Sequence, residues 1–231
     1  DVLMSREAGR RERPAAGKIT LLHNEQNLGF VETVNRGMRL HSERDSVLLN
    51  SDTEVGNDWL DRLRRCAYSE GNIATATPFS NNATLCSYPR FFEDNALPPG
   101  YDVNQLDKLF SEVNRDKSLD IPTAVGFCMY IRRDSLDDVG LFDAKHFGKG
   151  YGEENDFSLR AAKKGWRNVL CADTFVYHAG GVSFTDSQNP RKTQAMEVMR
   201  RLHPHYERLI HTHLQQDPAR PLRLAVDMAR L

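Results

Sequence analysis

What this sequence lacks narrows its class before any motif is read. No apolar run approaches the length of a membrane span, so no membrane-crossing helix is expected. There is no C-x-x-C pair; Cys66, Cys86, Cys128 and Cys171 are widely scattered. That spacing argues against a structural zinc site or a disulfide framework and suits reduced thiols in the cytoplasm. Neither charge sign is in excess: 31 basic residues face 32 acidic ones, a formal net charge of −1. A nucleic-acid partner needs a basic field and is thereby disfavoured. Internal repeats are not evident. What remains is 231 residues with 39% hydrophobic content, enough for one large domain or one domain with a tail.

Along the chain, residues 1–18 are polar, and Pro14 and Gly17 would end any helix there. Lys18-Ile-Thr-Leu-Leu-His23 reads as a short buried strand, and Asn24-Glu-Gln-Asn-Leu-Gly29 as a turn. Phe30, Val34 and Met38 then form a helical stripe. Ser46-Val-Leu-Leu-Asn50 is a second buried strand, followed by the polar Ser51-Asp-Thr-Glu54. A third strand, 72–77, is closed by Pro78. Residues 79–101 read as a long loop and 102–117 as an amphipathic helix. Thr123–Arg132 is the longest strand candidate, with a short helix after it ending at Gly140. Residues 169–178 are strand, 190–214 are helix interrupted at Pro204, and 215–231 are a linker or tail.

Four places could carry chemistry. Gly150-Tyr-Gly-Glu-Glu-Asn-Asp-Phe-Ser-Leu-Arg160 runs a glycine-rich loop into a helix whose first turn holds Glu153, Glu154 and Asp156. First-turn amides lack helical partners and favour carboxylates. A carboxylate at the mouth of a pocket is what a general base needs, although the same residues could simply stabilise their helix. Asp52 and Glu54 lie at the carboxyl end of an apolar strand, where open α/β sheets bind ligands. In an extended segment they face one way and could hold a divalent cation. An N-cap role for Asp52 is less needed, because Asn57 or Asp58 can cap the next helix. His178 ends a strand beside glycine and could touch a metal or a phosphate, or be a surface histidine. His203, His205, His211 and His213 do not share one helix face, which argues against a metal site.

In order, these pieces resemble the family 2 glycosyltransferases, inverting enzymes of the GT-A fold, and rhamnosyltransferase-like members in particular. Four motifs carry the resemblance. They are Asn24-Glu-Gln-Asn-Leu-Gly-Phe30 with Asn35 and Gly37; Val47-Leu-Leu-Asn-Ser-Asp-Thr-Glu-Val55 in the place of D-x-D; Gly126-Phe-Cys-Met-Tyr-Ile-Arg-Arg133 through Val139-Gly-Leu-Phe-Asp143; and Gly152-Glu-Glu-Asn-Asp-Phe-Ser-Leu-Arg160 with Val176-Tyr-His178. The resemblance implies a Rossmann-like α/β domain over residues 1–214, its mixed sheet flanked by helices. It implies transfer of a sugar from a nucleotide-diphosphate sugar to a glycan or lipid-linked hydroxyl, with inversion and with Mn or Mg assistance. Glu154 would be the general base, and Glu153 would orient it or the acceptor. Asp52, His178 and Glu54 would serve the metal, and Asn27, Asn35 and Ser51 the donor. A cytoplasmic enzyme, associated peripherally with the inner face of the cell membrane when the acceptor is lipid-linked, fits that reading.

The chain departs from the family pattern in three ways. Asn50 stands where D-x-D has its first acid, and Glu154 stands where the base is usually Asp. The family also opens with a strand–helix–strand unit that binds the nucleobase. Such a unit needs about 30 residues, so the expectation is an N-terminally truncated catalytic domain, with further domains elsewhere in a longer protein. Two alternatives compete: a non-catalytic glycan-binding or assembly module on the same fold, and a phosphohydrolase using Asp52, Glu54 and His178.

Overall fold

A computed structural model describes residues 2–4, 19–148, 150–180 and 190–231. Among them are eight strands, nine α-helices and one 3-10 turn, Thr84–Cys86. The order begins β1 (Val2–Met4), β2 (Ile19–Leu21), α1 (Gly29–Leu40), β3 (Ser46–Leu49), β4 (Thr53–Val55) and α2 (Trp59–Ala67). It continues with β5 (Ile73–Phe79), α3 (Val103–Val113), β6 (Ser118–Asp120), β7 (Cys128–Ile131), α4 (Arg133–Val139) and α5 (Ala144–Phe147). The last elements are α6 (Glu153–Lys163), β8 (Arg167–His178), α7 (Pro190–Leu202), α8 (Tyr206–Gln216) and α9 (Arg220–Ala229). The helix expectation for residues 5–18 lies outside the described residues.

Six strands form one mixed sheet in the order β3-β7-β5-β8-β4, with β6 also on β8. β7 is antiparallel to β3 and to β5, and β5 is parallel to β8. β3, β5 and β8 therefore run in one direction and end at one edge, while β7 starts there. Along β7, side chains alternate between two cores. Cys128 and Tyr130 join Leu63, Phe110, Phe175 and Val226 on the α2, α3 and α9 side. Met129 and Ile131 join Val31, Met38, Phe157 and Met199 on the α1, α6 and α7 side. A period-2 strand buried on both faces needs this double layer of helices.

Several expectations are corrected. Ile19 and Leu21 are 63% and 72% exposed. The segment read as a buried strand is a surface ribbon paired with β1. β5 runs through Pro78 to Phe79. Pairing with β7 ends at Ala76, so the missing proline N–H removes no ladder bond on that side. The long strand 123–132 shortens to β7. Ahead of it, the Ala124 and Val125 amides donate to the Ser158 and Thr77 hydroxyls at 3.0 and 3.4 Å rather than to a ladder. The expected linker 215–231 is largely α9, with Ala219 and Val226 fully buried on the α3 side.

A buried ion pair joins α2, α3 and β8. The Arg62 guanidinium donates to Asp107 at 2.6 Å, to Asp58 at 2.6 Å and to Thr174 at 3.2 Å. Asp107 also accepts from the Phe175 amide at 2.9 Å and the Asn57 side chain at 2.7 Å. These side chains are thus not the helix caps expected of Asn57 and Asp58; α2 starts without a side-chain cap bond. Removing one partner strands the other charge in the core, so Asp107→Ala should lower unfolding free energy by about 3–5 kcal/mol. Urea denaturation measures it.

Candidate active site

The site lies at the sheet edge where β3, β5 and β8 end. Its acidic half is the first turn of α6. The helix begins at Gly152, whose φ is +90°. A Cβ there would meet Phe147 Cε1 at 3.1 Å and Met199 Cγ at 3.3 Å, so both backbone shape and packing require glycine. Glu153 is 6% exposed and Glu154 half-buried. The Oε2 atoms of both are buried, with no hydrogen-bond partner among the described residues. Burial, then the neighbouring Glu154 charge, pushes the Glu153 carboxyl up to about 8. Burial raises Glu154 as well, opposed by first-turn backbone amides that favour its charged form.

Asp156, read from sequence as a helix-turn residue, faces away from this pair. It accepts from Arg160 Nε at 2.7 Å and pairs with His203 Nε2 at 2.7 Å, tying the end of α7 to α6. Among the described residues no three histidines, cysteines or acids gather as a cluster that could hold a metal.

The other half is built by β3, β4 and β8. The β3–β4 connection is a tight turn: the Thr53 amide and hydroxyl both donate to Asn50 O, at 3.3 and 2.7 Å. That turn places Asp52 Oδ2 3.4 Å from His178 Nε2. It also corrects the expectation for Glu54. Asp52 is in the turn rather than extended, so the two acids do not share a face. Thr53 pairs with His178 across the ladder and Glu54 with Tyr177, on the opposite face. Ser51 lies exposed in the same turn.

His178 is 8% exposed. Its Nδ1 is 2.8 Å from Asn82 O. A carbonyl only accepts, so Nδ1 carries a proton, and in the neutral ring Nε2 presents a lone pair. That lone pair faces the Asp52 carboxylate, and the Asn50 Nδ2 amide lies 3.4 Å away. Two acceptors facing each other at this distance suit a cation between them, and oxygen plus imidazole nitrogen is a fitting donor set.

Gly126 and Phe127, just before β7, join the halves. A Cβ on Gly126 would lie 3.9 Å from Glu154 Cγ. The Phe127 ring stacks on His178 with centroids 5.2 Å apart. Phe127 O accepts from the Asn50 amide at 2.8 Å. The Asp52–His178 pair and the glutamate pair therefore border the same two residues.

An open cleft of about 510 Å³ is lined by Asn24, Gln26, Asn27, Phe30, Thr33 and Arg191 among others. It adjoins the acidic loop, since a Cβ on Gly150 would contact Phe30 at 3.6 Å. Asn27 lines this cleft while its Oδ1 accepts from the Gly29 amide at 2.9 Å. Asn35 does not reach it. At 1% exposure, Asn35 donates to Phe142 O at 2.8 Å and accepts from the Phe142 amide at 3.1 Å. Both ends of its carboxamide are occupied, so its place is structural. Arg191, Asn82 and Phe127 were not singled out from sequence. Only Phe127, inside a motif, carried any signal there.

The glutamate pair has a stability signature. Folded, Glu153 keeps its proton to about pH 8, against 4.5 for an ordinary glutamate. Between those values the native state binds more protons than the unfolded one, so stability falls as pH rises and levels off above about 8. The slope is at most about 1.4 kcal/mol per pH unit. Glu153→Gln should reduce this fall by the share Glu153 contributes, which denaturation at pH 5, 6.5 and 8.5, spanning the window between the ordinary and shifted carboxyl, would read as a difference from wild type.

Comparison with known proteins agrees with this architecture. The profile of Glycosyltransferase like family 2 matches residues 6–201. No curated protein matches the chain. The fold resembles GalNAc-T7, solved with UDP, GalNAc and Mn2+, at 14% identity and a TM-score of 0.55, over 88% of this chain and 42% of that one. It also resembles the mannosyltransferase PcManGT from Pyrobaculum calidifontis, solved with GDP-Man and Mn2+, at 14% identity and a TM-score of 0.51, over 91% and 56%. The chain thus spans about half the length of these solved relatives. The mixed sheet flanked by helices is the GT-A arrangement that they share, and the chain belongs to the glycosyltransferase family 2-like proteins.

Proposed function

We propose that the site transfers a sugar from a nucleoside-diphosphate donor to a hydroxyl of a glycan or lipid-linked acceptor, with inversion at the anomeric carbon. The observation that carries this reading is the adjacent pair Glu153 and Glu154, each with a buried Oε2 that has no partner among the described residues. It sits at the same sheet edge as the Asp52–His178 pair. Glu154 is the base: burial raises its carboxyl, first-turn amides oppose that rise, and Glu153 beside it is pushed up to about 8. An ionised Glu154 takes the proton of the acceptor hydroxyl as that oxygen attacks. Single displacement needs no covalent intermediate, which supports inversion.

Asp52 and His178 would hold a divalent cation, Mn or Mg, which when bound neutralises charge on the departing diphosphate. Glu54 faces away from them and has no part in this reading. Ser51, Asn27 and the adjoining cleft face the donor. Rhamnose as the sugar rests on the motif resemblance. No described helix is long and apolar enough to cross a membrane. Among the described residues the outer edge of β3 is unpaired, and Ile19 and Leu21 stand exposed. Both support the reading that further strands complete a nucleotide-binding half.

A binding or assembly module remains the second reading, favoured by Asn50 in place of an acid. Turnover of nucleotide sugars by the longest available form of the protein, with Mn2+, separates the two. Glu154→Gln should reduce transfer by about 10²–10⁴-fold, the usual contribution of a general base. Full activity in that variant removes the base assignment. No turnover of any common nucleotide sugar, with glycan binding retained, favours the module. Asn50→Asp should lower the Mn2+ concentration for half-activation, because it adds a second anionic oxygen beside His178. An unchanged value would place the cation elsewhere.

A further inference from the structure

The loop after β5 does more than connect. At Asn81, the carboxamide acts as a short piece of strand. The His178 amide donates to Asn81 Oδ1 at 2.8 Å, and Asn81 Nδ2 donates back to His178 O at 2.9 Å. Asn81 is itself buried. Asn82, the next residue, supplies the carbonyl that takes the Nδ1 proton. Gly180, two residues past the histidine, has φ +58°. A Cβ there would lie 1.9 Å from Asn82 Nδ2, so loop and strand end are pressed together.

A second asparagine holds the first. Asn95 Nδ2 and the Asn95 amide both donate to Asn81 O, at 3.1 and 3.0 Å. Asn81 Nδ2 also donates to Asn95 O at 3.1 Å. Asn95 closes its own turn by donating to Arg90 O and Glu93 O, each at 2.9 Å. The chain of bonds runs from an exposed loop through Asn95 and Asn81 to the histidine backbone.

We propose that Asn81, braced by Asn95, is a positioning residue for His178, fixing the ring so that Nδ1 meets Asn82 O and the Nε2 lone pair faces Asp52. Asn81 touches neither donor nor acceptor; it acts through the histidine. This rests on the reading that His178 serves the donor diphosphate, and the test separates the two claims. A donor N–H and an acceptor C=O from one planar carboxamide fix the backbone of a strand end more rigidly than one bond does. Groups that orient a metal-binding imidazole typically change metal affinity about 10–100-fold when removed.

The experiment is long-range ¹H–¹⁵N NMR of histidine-labelled protein above the imidazole titration range, with His178 assigned by its loss in His178→Asn. Wild type should show the Nδ1–H tautomer. Asn81→Ala should give a tautomer mixture. It should also raise by about tenfold the Mn2+ concentration, in the presence of UDP, that broadens the His178 signal. Asn81→Asp keeps the oxygen that accepts from the His178 amide but loses the donor to His178 O, and should give a tautomer population between wild type and Asn81→Ala. If Asn81→Ala does not fold, Asn95→Ala loosens the clasp from behind and should shift both readouts the same way. An unchanged tautomer and Mn2+ response in a folded Asn81→Ala overturns the proposal. A tautomer change in Asn81→Ala, with no Mn2+ response even in wild type, upholds the clasp and removes the metal role from His178.

Discussion

Two carboxylates held out of water at the N-terminus of one helix set the terms for the rest of this structure. Burying an unpaired carboxylate costs several kcal/mol. Here that cost is met in two ways: first-turn amides face Glu154, and a raised affinity for the proton keeps Glu153 neutral. Neither device works unless α6 begins where it does. Gly152 fixes that point, in a conformation few other residues adopt and in a space that Phe147 and Met199 close. α7 therefore shapes the site through Met199, which packs where α6 begins, and the His203–Asp156 bond fastens its far end to the same helix.

The sheet brings the opposing half into reach. Because β7 runs against β3, β5 and β8, its start lies at the edge where the other three finish. Gly126 and Phe127 occupy that start. One leaves room beside Glu154, and the other covers His178 and holds Asn50. In the proposed displacement the base and the diphosphate lie on opposite sides of the reacting carbon, and this short backbone segment would set their separation. With Asn50 in place of an acid, one carboxylate, Asp52, and one imidazole, His178, face the space between them.

Much of this was legible in the residues. The acidic first turn of α6 could be read because glycines precede it and Phe157 and Ala161 mark its buried face. Asp52 and His178 could be read as strand-end residues because apolar runs stop just before them. What escaped was long-range or local to a turn. Glu54 fits an extended alternation that the Asn50–Thr53 turn interrupts. Asn35 looks like a ligand residue in a helix, yet its partner Phe142 is 107 positions away. Nothing in the spacing of Asn81, Asn82 and Asn95 shows that they converge on a histidine nearly a hundred residues later. The amphipathic face of α9 lies between prolines and arginines that resemble a linker. Ile19 and Leu21 have a core strand's composition without a core strand's cover.

The account stands or falls on a single displacement, with one base and no covalent sugar–enzyme bond. The measurement that tests this most directly is the anomeric configuration of the first-formed product, followed by ¹H NMR from a donor of known configuration. The account predicts inversion, seen before any spontaneous mutarotation. Retention would contradict it, because one attack from the face opposite the leaving diphosphate inverts the anomeric carbon.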